Sequence, residues 1–87
     1  MIRQNKHMEV GLSSLIKDKL RLYFLMLDGQ PPASDFYTHI IREVEQPLIE
    51  LALEVTGGHK LQAAELLGIN RNTLRKKMKE LNILDAS

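Results

Sequence analysis

The sequence predicts an all-α fold of four helices, the last two set as a helix-turn-helix. Three observations carry that prediction. Apolar residues return at three- and four-residue spacing in separate segments, the signature of amphipathic helices. No stretch alternates polar and apolar residues well enough to be a strand. Clusters of glycine and proline (Asp28-Gly29-Gln30-Pro31-Pro32, Gly57-Gly58 and Gly68-Ile69) punctuate the chain where those segments end.

Residues 1–11 are polar and aperiodic and read as a flexible arm. The first helix is expected over 12–27, with Leu12, Leu15, Ile16, Tyr23 and Leu27 on one face. From Leu20 to Leu27 the helix turns apolar all round. A helix apolar on every side needs burial on every side, which one small chain cannot supply. Leu20, Tyr23, Phe24 and Leu27 are therefore expected against a second subunit. Gly29 and the two prolines stop this helix.

Ser34 is the expected N-cap of a second helix running from Asp35 to Thr56. Its stripe is Tyr37, Ile40, Ile41, Val44, Leu48, Leu51, Ala52 and Val55. Pro47 interrupts the hydrogen bonding, but the stripe stays in phase across it, which favours one kinked helix over two. Ile40, Ile41, Val44 and Leu48 complete the expected dimer interface. Glu43, Glu45, Glu50 and Glu54 read as a solvated face, and His39 as a surface or dimer-facing residue. A third helix follows at 60–67 with Ala63, Ala64 and Leu67 inward. The fourth spans 71–81 with Leu74, Met78 and Leu81 inward, and residues 82–87 are expected to fray. The segments 12–56 and 57–87 are thus a dimerisation part and a helix-turn-helix part of one structural domain.

Composition narrows the function. The 87 residues are 44% hydrophobic, enough for one small domain that is marginal alone. There is no cysteine, so disulfides and thiolate metal sites are excluded, and His7, His39 and His59 are scattered. Oligomerisation is the remaining source of stability. No cofactor or metal is expected. Absence of cysteine fits a reducing cytosol. No apolar run approaches the ~18 residues of a membrane helix. The first ten residues do not form a secretory signal. No converging acid, base or nucleophile, and no phosphate-cradling glycine loop, suggests an enzyme.

The net charge of +1 hides an asymmetry. Residues 1–55 sum to −2, whereas residues 56–80 carry Lys60, Arg71, Arg75, Lys76, Lys77 and Lys79 against Glu65 and Glu80, a net of +4. A basic end on an acidic body suits a polyanion partner. The same end carries a specific framework. Small Ala63 and Ala64 permit close helix approach, Gly68 suits a left-handed turn, Ile69 plugs the angle, and Leu74 and Met78 anchor the next helix. Opposite that anchor fall Asn72, Arg75, Lys76 and Lys79. Arginine can read guanine, asparagine adenine, and lysine guanine or phosphate. Thr73 can bond a phosphate or touch a thymine methyl, and Arg71 and Asn72 sit at the end that enters a major groove. Asn70 reads first as a helix cap. His59, after the glycine pair, reads equally as a phosphate contact or a turn residue. A basic helical face is by itself commonly just solvated. The surrounding framework is what points here to double-stranded DNA.

These residues resemble a family. GINRNTLRKKMKEL at 68–81 looks like the recognition end of the Fis family of bacterial nucleoid and recombination-enhancer proteins, and equally like the C-terminal domain of nitrogen regulatory protein C and related enhancer-binding activators. YFLMLDGQ at 23–30 and REVEQPLIELAL at 42–53 also resemble the Fis pattern. TGGHK at 56–60 and AAELLG at 63–68 lean towards the activators. The likeness spans residues 12–83. It implies an intertwined homodimer of four-helix subunits, with the first two helices of each interlocked and the last two reading DNA. By position it implies contacts from Asn70, Arg71, Thr73, Arg75 and Lys76, with Lys77 and Lys79 as phosphate ligands. Leu61 and Gln62 stand where Fis proteins often have polar or basic residues, which puts backbone contacts from the third helix in question. The eleven or so residues before the first helix are few for arms that stimulate a recombinase.

The expected function is sequence-selective duplex binding by a homodimer, as a bacterial transcription regulator or a DNA-bending protein of the cytoplasmic nucleoid. Two reading helices would sit about 34 Å apart on a straight palindromic site, or closer on bent DNA. RNA polymerase or upstream regulatory domains are the further partners such a role implies. The alternative is an interaction module within a larger enhancer-binding activator, with DNA reading secondary. The start at Met1 favours the free-standing protein.

Overall fold

The computed structural model describes residues 9–84. Four α-helices are present, and no strand occurs among the described residues. The chain divides into two units at Ser34–Asp35.

In the first unit a π-helical turn, Glu9–Ser13, leads into α1, Ser14–Met26. Helical structure therefore begins inside the segment expected as an arm; residues 1–8 of that arm lie outside the described residues. None of α1 is buried in the single chain. Leu20 and Leu27 are half-buried, while Tyr23 and Phe24 are exposed and meet edge to face at 5.9 Å between ring centroids. Asp28 and Gly29 both take left-handed backbone, ending the helix before the prolines.

The second unit opens with α2, Phe36–Val55, one continuous helix that includes Pro47. Its cap differs from the expectation. Asp35, not Ser34, is the N-cap; it is left-handed (φ 66°) and its side chain makes no capping bond. Burial on α2 also differs. Ile49 and Ala52 are buried and Leu53 packs against the same cluster. Tyr37, Leu48, Leu51 and Val55 remain exposed, Leu48 at 52% and Val55 at 70%. At 100° per residue, the buried side is turned about 100° away from the centre of the expected stripe. Ala52 alone belongs to both. The helix is apolar on two flanks, and only one faces its own chain.

The remaining helices are α3, Lys60–Leu67, and α4, Arg71–Glu80. Ala63, Ala64, Leu74, Met78 and Leu81 close the core with Ile49 and Ala52, and Leu67, Ile69 and Ile83 pack on its rim. Each of α2, α3 and α4 stops in the same way. The Gly58, Ile69 and Ile83 amides donate to the Leu53, Ala64 and Met78 carbonyls at 2.8, 3.0 and 2.9 Å. The residue before each is left-handed: Gly57, Gly68 and Asn82. This is the Schellman arrangement, which satisfies the last carbonyls, and after α3 and α4 it folds Ile69 and Ile83 back onto the core. It also corrects the expectation of fraying from residue 82. Asparagine tolerates the left-handed region, so Ile83 is carried onto the core. Residues 85–87 lie outside the described residues.

Candidate nucleic-acid interface

The site is built on the closeness of α3 and α4. Ala63 and Ala64 are fully buried at the crossing, and Leu74, wholly buried, fills the space they leave. A larger side chain at either alanine would push α4 away. Gly68 (φ 75°) and Ile69 make the turn between the helices, as the sequence predicts.

Asn70 then starts α4 from extended backbone (φ −70°, ψ 145°). Its Oδ1 accepts the Asn72 amide hydrogen at 2.7 Å, so Asn70 is a true N-cap. Its amide nitrogen is not used by that bond. Beyond it α4 shows two faces. Leu74 and Met78 face inward, continued by Leu81. Arg71, Asn72, Thr73, Arg75, Lys76 and Lys79 are all exposed. Side chains with guanidinium, ammonium, amide and hydroxyl groups are thus held on a helix whose other side is buried. That arrangement can pair with phosphate oxygens and with base edges.

Lys60, the first residue of α3, extends the cationic surface. With Arg75 and Lys79 it lines a shallow groove floored by Met78 and Ile83. His59 occupies the N-cap position of α3, exposed, with no side-chain capping bond. The hinge beside it is fixed by Thr56, whose hydroxyl donates to the Ala52 carbonyl at 2.8 Å.

Lys77 stands apart from the exposed cations of α4. Its Nζ meets the Glu45 Oε2 on α2 at 2.8 Å, with the two side chains 34% and 25% exposed. The hydrogen bond to Glu45 raises the lysine above its ordinary value; partial burial opposes this, and the charges of Glu45 and Glu80 add to it. Glu45 is half-buried, unlike the solvated face expected of the α2 glutamates. Sequence reasoning missed it, although it lies one turn before Ile49 on the side that packs.

The residues expected at a dimer interface are open in the single chain. Tyr23, Phe24, Ile41, Val44 and Leu48 are exposed, and Leu20, Leu27 and Ile40 half-buried. Among the described residues no group of His, Cys, Asp or Glu is placed to hold a metal, and no helix is long and apolar enough to cross a membrane.

Together these features define a helix-turn-helix protein whose second motif helix presents an open cationic face. Residues 40–81 match the model of the bacterial regulatory protein, Fis family. The chain is 43% identical over 77 residues to the DNA-binding protein Fis of Buchnera aphidicola, covering 88% of this chain and 78% of that protein. It is 40% identical to Fis of Proteus mirabilis over the same shares. It is 47% identical over 73 residues to the DNA-binding transcriptional regulator NtrC of Azospirillum brasilense, covering 84% of this chain but 15% of that regulator. The chain belongs to the Fis family.

Proposed function

We propose that this chain binds double-stranded DNA as a homodimer, inserting α4 of each subunit into a major groove, and acts as a bacterial transcription regulator or nucleoid DNA-bending protein. The observation that carries this reading is the two-faced α4. Arg71, Asn72, Thr73, Arg75, Lys76 and Lys79 are exposed together while Leu74 and Met78 are locked in the core. Arg75, Lys76, Arg71 and Asn72 take the base edges; Thr73, Lys79, Lys60 and His59 take the phosphates at the groove's rim. Asn70 serves α4 as its cap and offers its free amide nitrogen to the backbone. The names of the relatives, which are DNA-binding proteins, support the same partner.

The homodimer rests on the open apolar surface of α1 and α2. A chain this small leaves Phe24, Leu25, Met26, Leu48, Leu51 and Val55 exposed, and a second copy is the partner that covers them. Short coverage of the activator supports a second context for the same chemistry. The chain spans 15% of the NtrC relative's length, so a segment similar to this chain is one part of that longer DNA-binding transcriptional regulator.

Titration of a labelled duplex at rising salt tests the reading. Affinity should fall steeply as salt rises, because each neutralised phosphate releases a counterion. No duplex binding at low salt would remove it.

A further inference from the structure

The resemblance assigns Lys77 to DNA phosphate, yet Lys77 is the cation of α4 that is tied to another helix. We propose that Lys77 is a positioning residue: it meets no nucleic acid and, through Glu45, sets the rotation of the reading helix. The proposal rests on duplex binding by α4.

Rotation along α4 places Lys77 first. At 100° per residue it lies about 60° from Leu74, on the flank of the buried side, whereas Lys76 and Asn72 lie nearly opposite Leu74. Glu45 comes to meet it from the packing side of α2, one turn before the buried Ile49. The pair therefore spans from α2 to α4 across the motif, at 2.8 Å, and both side chains are half-buried. A charge-assisted hydrogen bond of that length is directional.

Charge around Lys77 argues against a phosphate. Glu45 and Glu80 both act on it. Both line the same groove on this flank, with Arg42, Tyr37, Thr38 and Ile41. That groove sets two carboxylates against Arg42 and an ammonium already paired, so it offers a phosphate no net positive charge. The opposite flank of α4 carries Arg75 and Lys79 beside Lys60, and among the described residues no carboxylate lines that groove.

The inner side of α4 also leaves a need for such a strut. Its anchors are Leu74, Met78 and Leu81, in a core whose other buried members are Ile49 and three alanines, Ala52, Ala63 and Ala64. Methionine is adaptable and alanine offers no shape to grip, so apolar packing fixes the depth of α4 better than its rotation. A single polar contact off the axis supplies that rotation. A few degrees there moves the tips of Arg75 and Lys76 relative to the base edges they must reach, and such displacements are costly in site geometry.

The test is duplex affinity across a salt series for the unaltered full chain, Lys77→Met, Glu45→Gln and the exchanged pair Lys77→Glu/Glu45→Lys, with thermal melts of each. We expect Lys77→Met and Glu45→Gln to weaken binding alike, by about 5-fold, at an unchanged slope of log affinity against log salt. The exchanged pair should recover most of the loss. A slope reduced by about one in Lys77→Met, with Glu45→Gln binding as well as or better than the unaltered chain, would make Lys77 a phosphate ligand and overturn the proposal. So would unchanged affinity in both single variants, whatever their melting temperatures, or an exchanged pair weaker than either single variant. Failure of the unaltered chain to bind duplex removes the reading beneath, and is distinct from these outcomes.

Discussion

The helix-turn-helix and α1 solve burial in opposite ways. In the motif, eight- and ten-residue helices close a core within one chain, with Ala63, Ala64 and Leu74 at zero to one per cent exposure. None of the thirteen residues of α1 is fully buried, although that helix is richer in large apolar side chains. Helix α2 belongs to both regimes: Ile49 and Ala52 face the motif, while Leu48, Leu51 and Val55 face solvent. The difference teaches that apolar content does not measure self-sufficiency. Small residues at a crossing let a short motif close on itself, whereas long side chains all round a helix require a second surface.

The sharpest way to break the closed region is Leu74→Ala. Leu74 has no exposure and packs against two alanines that cannot expand to fill the space. A loss of about 2–5 kcal/mol is expected in denaturant melts, as for large core truncations. The same change should leave any self-association weaker only through unfolding.

Arg75→Ala sharpens the contrast from the other side of the same helix. Arg75 is exposed, so the melt should hardly move. Duplex binding should fall by about 1–3 kcal/mol if the guanidinium reads a base. A variant that melts normally and binds normally would take Arg75 out of the reading face.

Asn70→Ala comes next. The 2.7 Å bond to the Asn72 amide would be lost, at about 1 kcal/mol of stability. Aspartate at the same position should restore the melt.

The smallest effect is one of pH. The Lys77 ammonium is held above 10.5 by its hydrogen bond to Glu45. A raised lysine contributes stability that is complete below its unfolded value and is lost as pH rises through the folded one. Stability should therefore fall above pH 10.5, more in the unaltered chain than in Lys77→Met. With the side chain a third exposed, solvent screening keeps the difference below about 1 kcal/mol.

Much of this was legible in the sequence, for local reasons. The bounds of α3 and the start of α4 follow from Gly58, Gly68 and Asn70, because left-handed turns and caps are chosen by few residue types. Helix α2 passes Pro47 as its unbroken periodicity predicts. Burial on α2 was not legible. Two apolar flanks about 100° apart satisfy the same helical period, and nothing local says which meets the chain's own core and which is left for a partner. Ile49 was missed for that reason. Lys77 was half legible: its angle beside Leu74 sets it off from Lys76, but its partner Glu45 is 32 residues away and only folding brings it near. At the chain's end, Asn82 carries the same left-handed turn as Gly57 and Gly68, a role that its residue type allows but does not announce.

Sedimentation equilibrium of the chain without DNA tests the contrast between closed and open regions most directly. The account predicts about twice the 10.0 kDa chain mass, with Leu48→Asp shifting the species to one chain mass while the circular dichroism of the motif persists. A single chain mass for the unaltered protein at high micromolar concentration would contradict it.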